Sequence, residues 1–266
     1  MIHVCATCGT SYERDGGPPG HCAICTDERQ YVPRSGQHWT DRERIAARHS
    51  NQWREHRPGL FSIETTPRFA IGQRAFLLTS PGGNILWDCI ANLDSATTRL
   101  ITALGGLHAI ALSHPHYYTT MQDWAAAFDA PVFVHAADRE WVMRPSPYLR
   151  FWEGETLDLP GDVRLLRLGG HFPGGTVLHW RGADDMLLAG DILQITPGGD
   201  AVSFMWSYPN MLPLPAATVS GIADRIAGID FDRMYGAFAG QDIETAAKAI
   251  VLRSAGRYVA CLDPHR

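Results

Sequence analysis

The stretch Ala109-Ile110-Ala111-Leu112-Ser113-His114-Pro115-His116-Tyr117-Tyr118 decides how the rest of the chain is read. A short apolar run of strand type ends in Ser113, and two histidines follow with one residue between them. In extended backbone, residues two apart project to the same face. Pro115 disfavours helical geometry at the residue before it, so the pair is expected to stay extended. Two imidazoles then leave the end of a buried strand together, a geometry suited to gripping a metal ion through neutral nitrogens.

Ligand-type residues recur where other strands give way to loops. Val163-Arg164-Leu165-Leu166-Arg167-Leu168 runs into Gly169-Gly170-His171, and Met186-Leu187-Leu188-Ala189 runs into Gly190-Asp191. His114, His116, His171 and Asp191 form the candidate ligand set. Their order and settings resemble the metallo-β-lactamase superfamily over roughly residues 60–260. The resemblance rests on Ser113-His114-Pro115-His116, on Gly169-Gly170-His171-Phe172-Pro173-Gly174-Gly175 and on Leu187-Leu188-Ala189-Gly190-Asp191. It implies an α/β fold, a four-layer αββα sandwich with its metal at the strand ends along one edge.

Carried over residue by residue, His114, His116 and His171 match the three imidazoles of the family's first metal site. Asp191 matches the carboxylate that bridges two metals in the hydrolases, and it counts here as ligand and catalytic carboxylate. The His-x-His-x-Asp-His motif continues as Tyr118 and Thr119, where the family has second-metal ligands. The closing histidine expected after Tyr235 is also missing from Gly236-Ala237-Phe238-Ala239-Gly240-Gln241. The resemblance therefore implies one active-site ion, zinc or iron. A zinc-bound water has a pKa near 7 and attacks acyl carbons, so the leading expectation is hydrolysis of an ester, thioester or lactone-like bond. A mononuclear iron oxygenase of the persulfide-dioxygenase type is the alternative, because imidazole and carboxylate ligands with open positions suit Fe(II). A non-catalytic, metal-stabilised module is the third. Tyr118 stands where the family's orienting aspartate would be, and its phenol, or that of Tyr117, is a candidate donor to a developing oxyanion.

The first thirty residues hold Cys5-Ala-Thr-Cys8 and Cys22-Ala-Ile-Cys25, with thirteen residues between the pairs. Two such units make a tetrahedral cage of four sulfurs. So short a module needs a staple, and bound metal would supply folding free energy. A structural zinc is expected rather than two disulfides, because the start of the chain shows no secretory leader and a cytoplasmic setting keeps thiols reduced. Such a ribbon binds nucleic acid, binds a protein partner or braces a neighbouring domain, and bracing is the default expectation. The domain reading is residues 1–30 as zinc ribbon, 31–59 as a connector with a short helix, and 60–266 as the metallo-β-lactamase-like domain. Thr40 with Glu43 reads as a capping box that starts the connector helix, which should end before Pro58.

In the body, strands are expected at Leu60–Glu64, Phe69–Gly72, Ala75–Thr79, Asn84–Cys89, Pro131–His135, Val163–Leu168, Thr176–Trp180, Met186–Ala189 and Arg233–Tyr235. Asp94 should cap a helix that stops at Gly105-Gly106. Further helices are expected from Thr120, over Ala216–Ala227, and from Asp242. A turn is read at Gly182–Asp185. Phe204, Trp206 and Tyr208 either wall an apolar acyl pocket or close the core edge. His135 is expected to satisfy a local hydrogen bond, and Cys89 and Cys261 to be buried fillers.

The chain has 266 residues, 45% hydrophobic and 19% charged, with 23 basic against 28 acidic side chains. That balance is globular, and a net charge of −5 gives no reason to expect a nucleic-acid binder. No apolar run has the length of a membrane span, so the expected partner is a small-molecule substrate.

Overall fold

The computed structural model describes residues 1–181 and 185–262. The turn read at Gly182–Asp185 falls largely on residues 182–184, outside the described residues. The body is two β-sheets packed face to face with helices on both outer faces. The first sheet has seven strands in the order Leu149–Trp152, Val132–His135, Ala109–Ala111, Ile85–Trp87, Arg74–Leu78, Leu60–Thr66, Ser50–Arg57. The second has six, in the order Thr156–Leu159, Val163–Arg167, Thr176–Trp180, Met186–Gly190, Arg233–Gly236, Asp242–Ile243.

The period-two alternation of strand side chains assigns each residue to a layer. Phe76, Leu78, Ile85, Trp87, Ala109 and Ala111 turn inward and meet Val163, Leu165, Leu178, Met186 and Leu188 of the second sheet. Their neighbours Ala75, Leu77, Leu86 and Ile110 turn outward under Ile101, Met121, Trp124 and Ala125 of the helices Ser95–Ala103 and Met121–Phe128. Val177, Leu187 and Ala189 likewise face Val219, Ile222, Ile226 and Val251 of the helices Ala216–Ala227 and Ala247–Cys261. Strands buried on both faces read as continuous apolar runs rather than as alternation. The expected αββα sandwich is the fold that forms.

Several local expectations are corrected. Residues 31–59 are not a loose connector: Trp39–Thr40 pairs with Ile2–Cys5 in the ribbon sheet, and Ser50–Arg57 pairs with Leu60–Thr66 as the edge of the first sheet. The edge position explains why that strand was missed. It is largely exposed, so its residues carry no apolar signature. The helix before it runs Arg42–Arg48 and is capped by Asp41, which accepts from the Arg44 N–H, not by Thr40. Phe69–Gly72 is a turn, because Ala70 and Gly72 both take positive φ (53° and 79°). Asp242–Ile243 is a strand, and the last helix starts at Ala247. Cys261 is exposed at the end of that helix, whereas Cys89 is buried as expected. No helix among the described residues is long and apolar enough to cross a membrane.

The ribbon is a three-stranded sheet, Ser11–Glu13 and Trp39–Thr40 flanking Ile2–Cys5. It docks on the body beside the His-Pro-His segment. Ser11 donates to the Thr119 carbonyl twice, through its N–H at 2.9 Å and its hydroxyl at 2.7 Å. Gly9, at φ +84°, lies so close to Ala91 and Thr119 that a Cβ would sit 3.0 and 3.3 Å from their methyl groups.

Candidate metal centre

The two sheets are pinned together at one rim, where the Thr176 N–H of the second sheet donates to the Ser113 carbonyl of the first at 2.9 Å. This link brings the loop carrying His171 over the end of the strand carrying His114. Gly190 closes the rim from below. It takes φ +55°, and a Cβ there would lie 3.0 Å from Ser113 Oγ. His114 is extended (φ −171°, ψ 172°), as the following proline requires. The pair does not stay extended, however: Pro115–Tyr117 is one turn of 3₁₀ helix. Proline at the first position suits that turn, and successive side chains then rotate instead of alternating.

The consequence is a tight cluster. His114, His116, His171 and Asp191 each offer a donor atom, all four within 4.8 Å of one another. The three imidazole centroids are mutually 5.0 Å apart. His171 Nε2 lies 3.3 Å from His116 Nδ1. Two nitrogens on one tetrahedral ion, with bonds of ~2.0–2.1 Å, would be about 3.3 Å apart. His114 Nε2 and Asp191 Oδ1 are 2.9 Å apart, yet both are buried without a hydrogen-bond partner. Atoms that close and not aimed at each other are aimed at a common point, which is the geometry a shared cation would satisfy.

The outer hydrogen bonds fix which nitrogen faces inward. Ser113 donates to Asp88 with both its N–H (2.7 Å to Oδ1) and its hydroxyl (3.0 Å to Oδ2). Its oxygen is then left to accept from His114 Nδ1 at 2.9 Å, so Nε2 carries the lone pair. His171 Nδ1 donates to the Trp206 carbonyl at 2.7 Å, which leaves its Nε2 bare as well. Burial holds His116 well below, and His171 down to about 4, from the usual imidazole range. Burial also works against charge on His114, but the Asp191 carboxylate outweighs it and the net shift is upward. Asp191 shifts downward, since the neighbouring His114 outweighs the cost of burial. Burial lifts the Asp88 carboxyl to about 7. Two imidazoles held neutral, a third held beside an ionised carboxylate, and the carboxylate itself make a donor set that suits a divalent ion.

His116, His171 and Asp191 form the floor of a cavity of about 210 Å³. Tyr208 lines it and stacks 5.6 Å from His171. Phe204 is instead fully buried in the second-sheet core, and Trp206 holds His171 through its carbonyl. Tyr118 is corrected: its ring is buried in the first-sheet core with Met121 and Trp124 and does not line the cavity. Tyr117 packs edge-on against His114, and its hydroxyl donates to the Ala237 carbonyl. His135 satisfies local bonds, with Nδ1 accepting from Ala137 N–H and Nε2 facing the Gly154 carbonyl. Thr119 turns its hydroxyl to the Cys89 carbonyl, and in the segment 236–241, which carries no imidazole, the Gln241 carbonyl accepts from Arg74.

The same cavity is walled by N-terminal residues that no motif singles out: Thr7, Arg29, Gln30 and Tyr31. Nothing in their spacing connects them to His116, His171 and Asp191, far along the chain. Asp88 could have been suspected, as an acid ending the apolar strand Ile85–Trp87 beside Ser113.

In the ribbon, Cys5 Sγ lies 3.6 Å from Cys25 Sγ, and Cys8 Sγ 3.5 Å from Cys22 Sγ. Disulfide sulfurs sit at about 2.0 Å, whereas two thiolates on one tetrahedral zinc, at ~2.3 Å each, are about 3.8 Å apart. The four-cysteine cluster is thus consistent with a zinc ribbon. Tyr12 and Gln37 donate to the sulfurs of Cys22 and Cys5 at 3.3 and 3.1 Å.

The family model of the metallo-β-lactamase superfamily matches residues 70–238. The chain is 46% identical over 266 residues to the uncharacterized protein YmaE of Bacillus subtilis (strain 168), spanning 98% of this chain and 97% of that protein. Among solved structures it is similar to TMB-1 (TM-score 0.60, 13% identity, 78% of this chain and 98% of that one). A metallo-β-lactamase from Hirschia baltica gives a TM-score of 0.56 at 14% identity, covering 79% and 97%. TTHA1623, solved in a di-iron-bound form, gives 0.51 at 22%, covering 69% and 94%. Identities this low speak for the fold, while the family match and the full-length relative speak for descent: the chain belongs to the metallo-β-lactamase superfamily.

Proposed function

We propose that the protein is a single-metal hydrolase of a small ester, thioester or lactone, with His114, His116, His171 and Asp191 as ligands and a structural zinc in the ribbon. The observation that carries the reading is the pair of buried, unpartnered donors, His114 Nε2 and Asp191 Oδ1, beside two neutral imidazoles at the floor of a cavity. When bound, zinc supplies a Lewis acid and a nucleophilic water near neutral pH. The chain's own part is orientation and exclusion. Ser113 and the Trp206 carbonyl hold the imidazoles of His114 and His171. Phe172, ring centroid 5.1 to 5.6 Å from all three imidazoles, keeps their far side dry. The absence of carboxylate and imidazole at Tyr118 and Thr119, and of any imidazole in residues 236–241, supports one ion rather than two.

The test is purified protein with two metal equivalents, assayed against acyl esters, thioesters and lactones. Turnover that disappears in His171→Ala is the expected result. Absence of turnover from fully loaded protein rejects the reading. A mononuclear iron oxygenase is the second reading, favoured by the imidazole and carboxylate donor set and by iron in the fold neighbour TTHA1623. Iron in anaerobically purified protein, with substrate-dependent oxygen uptake, would select it.

A further inference from the structure

We propose that Arg29 of the ribbon binds an anionic group of the substrate, so that the cavity takes small acyl compounds bearing a second carboxylate. The inference rests on the cavity being the substrate site, and it adds the substrate's charge and the residue that reads it.

Arg29 is only 5% exposed, and it borders the cavity together with His116, His171 and Asp191. Its guanidinium carbon lies 3.9 Å from the Phe172 ring centroid, 4.6 Å from that of Trp206 and 5.0 Å from that of Trp141. Phe172 is the ring that also backs the three imidazoles. Asp27 accepts from Nε at 2.6 Å and from Nη2 at 3.0 Å, which locks the plane of the fork. Nη1 makes no hydrogen bond among the described residues. A fixed, desolvated guanidinium with unspent donors at a cavity wall is a preorganised carboxylate receptor.

Docking of the ribbon does not need that remaining nitrogen. Trp206 Nε1 donates to Glu28, Asn210 donates to the Glu28 and Gln30 carbonyls, and Arg144 bridges Ser11 to Asp123. The second cation of the lining, Arg68, is exposed at the mouth. The sole acid of the lining, Asp191, belongs to the ligand set. The lining thus holds two guanidiniums, of which Arg29 is paired with Asp27 through Nε and Nη2 and keeps Nη1 open toward the cavity, and a ligand with a negative charge distant from its acyl carbon would complete it.

The experiment is calorimetric titration of the metal-replete full chain with acetate, succinate, glutarate and the neutral succinamide. Acetate reports a carboxylate on the metal alone. One dicarboxylate should bind about tenfold or more tighter than acetate, and succinamide should not bind. In Arg29→Met, with metal count and melting temperature retained, that advantage over acetate should vanish. An advantage that persists in the variant, or is absent in the parent, overturns the proposal. Should Arg29→Met fail to fold, the Nε–H signal of Arg29 in nitrogen-15 spectra of the parent decides. It should shift in step with dicarboxylate binding, and a signal unmoved at saturation overturns the proposal. Dicarboxylate binding without turnover would reject hydrolysis and keep this site; turnover of uncharged esters with no dicarboxylate advantage would do the reverse.

Discussion

The protein builds two four-donor clusters by opposite means. The cysteine cage takes its donors from one short stretch, Cys5 to Cys25, and none of the four lines the cavity. The His/Asp cluster gathers donors from His114 to Asp191 across two sheets, and three of the four form a cavity floor. A local cage can be satisfied by its own turns and serves to hold the chain. A cluster assembled from distant strand ends depends on the whole sandwich, and in exchange it faces a space where another molecule fits.

That contrast can be broken most directly by removing one donor from each cluster. Cys8→Ser should have the largest effect, because a structural zinc, if held there, would contribute on the order of the 10–16 kcal/mol of apparent binding free energy seen in zinc-finger peptides. It should cost one metal equivalent and expose residues 1–40 to protease, with the sandwich still folded. His114→Ala should cost the other equivalent and leave the ribbon resistant. Metal counting with limited proteolysis reads both, and a single variant that loses both ions would erase the distinction.

Ser113→Ala sharpens the comparison. It deletes the hydroxyl between Asp88 and His114 without touching a ligand. Loss of such an outer hydrogen bond costs about 10–100-fold in metal affinity, so competition with a chelator should show that drop at the His/Asp centre only.

Acidity gives the smallest and most graded effect. Protonated His114 cannot ligate, and its value in the metal-free fold is raised above 6.5, chiefly because the Asp191 carboxylate overcomes burial. Affinity at this centre should therefore be flat in His114 above that raised value. It should fall by about tenfold per pH unit below it. Calorimetry in buffers of different ionisation enthalpy should detect the released proton, and an affinity independent of pH through this window would contradict the assignment.

The sandwich was legible in the sequence because its central strands are continuous apolar runs, as at Ala75–Leu78 and Met186–Ala189. That His114, His116, His171 and Asp191 could meet was legible because each stands where a strand-type run gives way to a loop. The edge strand Ser50–Arg57 was not, since an exposed edge needs no apolar face. The inward burial of Tyr118 was hidden by the 3₁₀ turn at Pro115–Tyr117, which no periodicity announces. Arg29 was invisible for a different reason. Its place at the cavity depends on contacts with Phe172 and Trp206, which local sequence cannot encode.

The clasp of the ribbon by Trp206 and Asn210 also bears on the order in which the molecule is completed during translation. N-terminal units generally fold first as the chain leaves the ribosome. The cage of four thiolates is then finished while its docking partners, some 180 residues downstream, are still unmade. The clasp must wait for those partners, and the lining of the cavity is complete only when synthesis has passed Phe238.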